Sequence, residues 1–263
     1  MNVPVTTVDA FDDQPRLRGN PAGVCLPDTP LPDKAMQAIA AHMNLPETAF
    51  AVPRKDGDHD LRWFTPTCEV DLCGHATLAT AAVLLDQAGK AIHSLAFHTR
   101  SGRLEARPLG EESIEIILPA LTCQPADDDG QLAGALGAIP TTVLVTDTHY
   151  VGLFDRPGEI ARLEPDMKAL AGLDKAQVIV CAPGDGCDIE SRFFAPAMGI
   201  PEDPATGSSC SVLGPMWLSL HGKDKVVVLQ LSERGARLLC HTLVDHVAVS
   251  GHYSLRDTIE VEV

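Results

Sequence analysis

No run of about 18 apolar residues occurs in the 263-residue chain, so nothing in it reads as a membrane span. Positive charge is scarce: 20 Lys and Arg stand against 36 Asp and Glu, a net charge of −16. Nucleic acid and anionic membranes both need clustered cations, so neither is an expected partner. The eight cysteines contain no C-x-x-C pair, and only four and five residues separate Cys68 from Cys73 and Cys181 from Cys187. They read as reduced thiols of a cytoplasmic protein with no metal site, not as a disulfide framework or zinc ligands. The opening MNVPVTTVDAFDDQ lacks the basic segment and apolar stretch of a secretory signal. Phosphate-cradle, dinucleotide, nucleophile-elbow and metal-spaced histidine motifs are also missing, which removes P-loop, nicotinamide, serine-hydrolase and zinc chemistry from the leading readings.

What is present is organised around residues 71–87, DLCGHATLATAAVLLDQ. Between Leu72 and Leu85 there is no formal charge and one His, so a helix here is apolar on every face and has to be buried all round. Gly74 and His75 stand at its start, where the first backbone N–H groups lack partners and the helix dipole presents positive potential.

This stretch has a second copy. Arg62-Trp63-Phe64-Thr65-Pro66 returns 130 residues later as Arg192-Phe193-Phe194-Ala195-Pro196, and Gly74 has its counterpart 133 residues later in Gly207. Self-similarity over this distance reads as a duplicated domain. The offset changes twice, at the loop containing Glu47 and at the loop Pro201-Glu202-Asp203-Pro204, so each half departs from its twin at a loop that carries an acid. The counterpart of Glu47 is Gln177, which cannot ionise. The expected scaffold is therefore two-fold and its chemistry one-sided.

Alternating patterns predict strands over 3–11, 23–26, 48–53, 60–65, 94–99, 103–107 and 113–118, with an amphipathic helix over 33–43. Residues 119–130 are acidic and contain proline, a linker pattern. Strands over 141–145, 150–154, 177–182, 190–194, 226–231, 236–243 and 247–251 repeat the set, with a helix over 166–171. Pro215 is expected to kink the second buried helix or split it near Gly214. The expected fold is α+β, two pseudo-symmetric domains over 1–120 and 121–263, each with strands wrapped on a central buried helix. A last strand over 258–263 could return to either domain.

Glu47 follows a helix stop and a proline, and Leu45, Pro46, Ala49 and Phe50 surround it with apolar atoms that would raise its pKa and suit it to proton exchange. A loop glutamate is ordinarily only solvated. Asp203 precedes the second helix start, as a cap or as a second acid. His75 is a core histidine or, with its pKa lowered at the helix N-terminus, a neutral donor to substrate. Gly74-His75 and Gly207-Ser208 offer N–H donors to an anionic group such as a carboxylate, although glycine in a tight turn needs no ligand to explain it. Cys73 is a candidate thiolate base or an inert buried thiol, and Ala205-Thr206 stands where a second such cysteine would be.

The strings VDAF and GNPAGV, LPETAF, RWFTPTCEVDLCGHATLATA and EDPATGSS run through nearly the whole chain in order. Together they resemble the phenazine-biosynthesis isomerase (PhzF-like) family, on the diaminopimelate-epimerase fold. The resemblance implies two similar domains, each a mostly antiparallel barrel-like sheet around a central helix, with a cofactor-free site in the cleft and a homodimeric assembly. It places the family's proton-shuttling glutamate on Glu47, its assisting His and Asp on His75 and Asp203, and its substrate contacts on Gly74, Gly207 and Ser208. The family usually continues Ala-His after the EDPATGS string, whereas Ser209-Cys210 follow here. The expected activity is a cofactor-independent isomerisation of a small carboxylate-bearing metabolite, like that of trans-2,3-dihydro-3-hydroxyanthranilate. An amino-acid racemase of the diaminopimelate-epimerase type and a non-catalytic small-molecule binding protein are the alternatives.

Overall fold

The computed structural model of the chain describes residues 2–88, 92–110, 112–126 and 130–262. It divides into two compact units, Met1–Leu118 with Ala248–Val263, and Pro119–Val247. Gly89, where the first buried helix was expected to stop, and 127–129 of the expected linker lie outside the described residues.

Unit 1 contains β1 (Asn2–Asp12), β2 (Asn20–Cys25), α1 (Asp33–Met43), β3 (Glu47–Pro53), β4 (His59–Phe64), the short β5 (Glu69–Val70), α2 (Gly74–Ala88), β6 (Leu95–Thr99), β7 (Gly102–Gly110) and β8 (Ser113–Pro119). Unit 2 contains the short β9 (Gln124–Pro125), α3 (Gln131–Leu136), β10 (Thr142–Val145), β11 (His149–Leu153), α4 (Met167–Ala171), β12 (Gln177–Pro183), β13 (Ile189–Phe194), α5 (Cys210–His221), β14 (Lys225–Gln230) and β15 (Ala236–Thr242). The final strand β16 (His246–Glu262) joins the two strands expected over 247–251 and 258–263 into one. Its residues from Ala248 onward belong to unit 1, where it pairs antiparallel with β1. The order β1-β2-β3-β4-β6-β7-β8-β16 then closes on itself as an eight-stranded barrel.

Alternation makes these strands. In β8 Ile114, Ile116 and Leu118 all point inward and are fully buried, while the residues between them are half-exposed. Two pairs in unit 1 are parallel, β2 with β3 and β4 with β6. Parallel neighbours require a crossover, and α1 and α2 supply the two. Along α2 every residue from Gly74 to Val83 is buried, as a helix apolar all round requires. In unit 2, β11 with β12 and β13 with β14 are the parallel pairs, bridged by α4 and α5. The strand pairing is thus mixed, with a helix in the connection at each of these four parallel pairs.

The RWF and RFF strings have the same job in each unit. The Arg62 guanidinium donates Nε and Nη2 to the two oxygens of Glu69, both at 2.7 Å, and lies 5.2 Å from the centre of the Phe64 ring. Arg192 donates to Glu202 at 2.8 and 2.9 Å and lies 4.9 Å over Phe194. A bidentate fork stacked on a ring is a geometry that lysine cannot supply.

Two expectations fail for tertiary reasons. Pro215 does not split α5, which runs unbroken from Cys210 to His221. The carbonyl that a helical residue 215 would have bonded belongs to Ser211, and it accepts the Leu121 N–H at 2.8 Å instead. The cysteines are not all reduced: Cys210 and Cys240 form a disulfide, Cα to Cα 6.1 Å, tying the first residue of α5 to β15. The other six form no disulfide. Burial pushes the Cys25 and Cys181 thiols up to about 12, so they stay protonated.

Gly19, in the turn between β1 and β2, is held at φ +61°, and a Cβ there would lie 2.2 Å from the Ala10 carbonyl oxygen. Gly19→Ala is expected to cost about 2–3 kcal/mol in urea unfolding, because neither the backbone angle nor the backbone neighbour can yield cheaply. Loss below about 1 kcal/mol would mean that this turn is not under the constraint described. Among the described residues no helix is long and apolar enough to cross a membrane.

Candidate active site

In unit 1 three strand and helix ends converge. Glu47 is the first residue of β3 and pairs in parallel register with Ala22 of β2. Asn20 opens β2 opposite Ala10 of β1, directly after the Gly19 turn. Cys73 and Gly74 bring the chain into α2, so that His75 falls in its first turn. Glu47 is 7% exposed, Cys73 5% and His75 2%.

His75 joins these groups. Its Nε2 lies 3.2 Å from Glu47 Oε2, its Nδ1 lies 3.2 Å from the Asn20 amide nitrogen, and Cys73 Sγ is 3.5 Å from Nδ1. Because the Asn20 amide donates to Nδ1, that atom carries no proton, and the ring proton of neutral His75 sits on Nε2, on the Glu47 side. The approach to Glu47 falls short of an aligned hydrogen bond. Burial lowers the His75 pKa to about 3. The nearby carboxylate opposes that shift, but a second proton on Nδ1 would face the Asn20 N–H, so the ring stays neutral. The sequence reading expected this lowering from the helix N-terminus; the cause is desolvation.

In unit 2 the segment from Glu202 to Ser209 is fixed from three sides. The Arg192 fork holds Glu202. Asp203 is buried, its backbone N–H donates to Phe193 O at 3.0 Å, and its carboxylate accepts from the Thr206 hydroxyl. Gln230, the last residue of β14 and 1% exposed, donates to the Asp203 carbonyl at 2.7 Å and accepts from the Thr206 N–H at 2.8 Å. The single 3₁₀ turn Gly207–Ser209 then leads into α5, with Gly207 buried and Ser208 half-buried. Asp203 is thus not a helix cap; Thr206 stands before the 3₁₀ turn and Ser209 before α5.

The expected residues Glu47, Gly74 and His75 therefore lie together in unit 1, and Asp203, Gly207 and Ser208 lie together in unit 2. Asn20 and Gln230 were not predicted. Asn20 reads as a turn residue, and Gln230 as the polar end of a strand. Gln230→Ala is expected to destabilise unit 2 by about 2 kcal/mol, since it strands a buried carbonyl and a buried N–H. An unchanged unfolding midpoint would show that the loop holds itself.

The profile of phenazine biosynthesis-like proteins matches residues 8–251. The chain belongs to the phenazine biosynthesis-like, or PhzF, family. It is 44% identical over 255 residues to an uncharacterised isomerase of Pseudomonas aeruginosa, covering 97% of each chain. Its fold is similar to that of a PhzF-family phenazine biosynthesis protein of Enterococcus faecalis, with a TM-score of 0.91, 35% identity and full coverage of both chains. A probable proline racemase of Agrobacterium radiobacter, at 11% identity and a TM-score of 0.71 over 99% of this chain and 93% of that one, shares the fold alone.

Against that family background, Ser209-Cys210 are used internally. The Ser209 hydroxyl donates to the Thr206 carbonyl at 2.7 Å, and Cys210 is spent in the disulfide to Cys240. Among the described residues two clusters offer cation-ligand atoms within 4.8 Å of one another: Glu47, Cys73 and His75, all buried, and the more exposed Asp56, Asp58 and His98. The first departs from the expectation of no metal-type cluster, because its members come from two chain segments that no linear spacing joins.

Proposed function

We propose that this PhzF-family chain is a cofactor-independent isomerase or epimerase that moves a proton on a small carboxylate-bearing metabolite, in the manner of trans-2,3-dihydro-3-hydroxyanthranilate isomerisation. Glu47 takes a proton from a carbon atom, the electron pair shifts along the unsaturated system, and the carboxylic acid returns the proton elsewhere, so nothing is gained or lost overall. The observation that carries this is a carboxylate 7% exposed whose oxygen lies 3.2 Å from the Nε2 of a histidine kept neutral. A neutral imidazole can donate to the carboxylate without permanently neutralising it, which keeps the base available. Asp203 is proposed as an assisting acid, and Gly74, Gly207 and Ser208 as substrate contacts, with backbone N–H groups at the start of α2 suited to an anionic group.

The duplication is part of the same proposal: matching parallel joints and matching arginine forks support two copies of one ancestral unit, of which only one kept the glutamate. A cytoplasmic homodimer is the assembly proposed from the family resemblance. The racemase alternative needs a base on each face of the carbon. Cys73 supplies one thiol, but Ala205-Thr206 stands at the matching place in unit 2.

Solvent exchange separates these readings. Small cyclic and amino carboxylates incubated in deuterated water are expected to isomerise with much of the migrating proton retained, because one buried carboxylate carries it. Deuterium in the alpha position of both enantiomers would identify a racemase. A ligand that raises the melting temperature without isomerising or exchanging would identify a binding protein.

A further inference from the structure

The buried trio of Glu47, Cys73 and His75 has a donor set unlike that of an ordinary general base. It offers one carboxylate oxygen, one sulfur and one imidazole nitrogen, all within 4.8 Å of one another. Magnesium and calcium select oxygen ligands throughout, whereas sulfur with imidazole and carboxylate is the mixture that zinc accepts, at about 2.3, 2.0 and 2.1 Å respectively. Contraction by roughly an ångström brings such a trio onto one tetrahedral ion, leaving a fourth position open. A second observation points the same way: His75 Nε2, in a ring 2% exposed, makes no hydrogen bond although a carboxylate oxygen is 3.2 Å away. A cation beside that nitrogen gives it the partner it lacks. Asn20 can turn its amide so that oxygen instead of nitrogen meets Nδ1, orienting the tautomer that leaves Nε2 for the ion.

We propose that Glu47, Cys73 and His75 bind one thiophilic divalent cation of the zinc type, and that the bound ion shuts the site by occupying the Glu47 carboxylate. On binding, the Cys73 thiol proton leaves to solvent and waters leave the ion; no electrons are transferred. The binding stands independently of the proposed reaction, and only the inhibition rests on it.

Cobalt(II) is the probe, because its absorption reports its ligands. Titration of the full chain is expected to give one ion per chain, with a sulfur-to-cobalt charge-transfer band and the strong visible bands of a four-coordinate site, all displaced by zinc. Cys73→Ser is expected to remove the charge-transfer band and weaken binding by at least about tenfold, and Glu47→Gln to weaken it similarly. Asp58→Asn, in the exposed cluster, is expected to change nothing. Stoichiometric cobalt without the charge-transfer band, or binding lost in Asp58→Asn and kept in Cys73→Ser, would overturn the assignment. Should Cys73→Ser fail to fold, the isosteric Glu47→Gln decides the same question: unchanged affinity there refutes the site. Zinc that binds without slowing turnover refutes the inhibition alone, and a Glu47→Gln variant that remains active refutes the proposed reaction while leaving the cobalt spectrum to stand.

Discussion

Glu47→Gln is expected to lower kcat by at least about a thousandfold while leaving the fold intact. The substitution keeps the volume and one acceptor oxygen, so His75 Nε2 still faces a carbonyl-type oxygen and the start of β3 keeps its register with β2. What it removes is the capacity to hold a proton, and two of its neighbours do not restore it: Asn20 cannot ionise and His75 is held neutral with its free proton already on the Glu47 side. Gln177, 130 residues on in the sequence, opens β12 as Glu47 opens β3, and it carries no ionisable group. The expected pattern is a collapse of kcat with KM changed little, since the substitution leaves untouched the backbone N–H groups proposed to hold the substrate carboxylate. Turnover within about tenfold of the parent, with an unchanged melting temperature, would remove Glu47 from the mechanism.

The residues that announced this site in the sequence were those whose patterns are local. A charge-free stretch can only be a buried helix, and the structure buries α2 on all sides from Gly74 to Val83. The shifts in repeat offset pointed at the segments around Glu47, which the structure makes the first residue of β3, and Asp203, because a change of offset can be read without coordinates. What stayed hidden depends on contacts between distant segments. Asn20 fixes the tautomer of His75 across 55 residues, and Gln230 holds the Asp203 loop from 27 residues away. The Cys210–Cys240 pair follows no spacing rule. Pro215 misled for the same reason: its penalty depends on whether the freed Ser211 carbonyl finds a donor, and Leu121 supplies one. The short helix α3 lies beyond the expected linker, where six residues carry too little periodicity to be seen.

The second large effect expected is loss of stability in mild acid, carried by two buried histidines. Burial lowers His75 to about 3 and His149, whose Nδ1 sits between the Thr146 and Thr148 hydroxyls at 3.0 and 2.9 Å, to about 4, against an ordinary value of 6.5. Both folded values lie below the unfolded one, so between about pH 6.5 and pH 3–4 the unfolded chain binds protons that the native chain refuses. Their stabilising contribution is therefore complete above about 6.5, falls as the pH drops through that window, and levels off below it. At pH 5 each histidine has given up about 2 kcal/mol, at about 1.4 kcal/mol per unit, and a combined loss of about 4 is a large part of the 5–15 typical of a domain. Urea unfolding at pH 7 and pH 5 measures it directly, with each buried histidine reporting on its own unit. His149→Gln should flatten the slope by about half without touching Glu47, and the remaining half belongs to His75. A stability that changes by less than about 1 kcal/mol between those two pH values would mean that His75 accepts a proton in the folded state, and with it that Asn20 does not hold the tautomer on which the neutral donor to Glu47 depends.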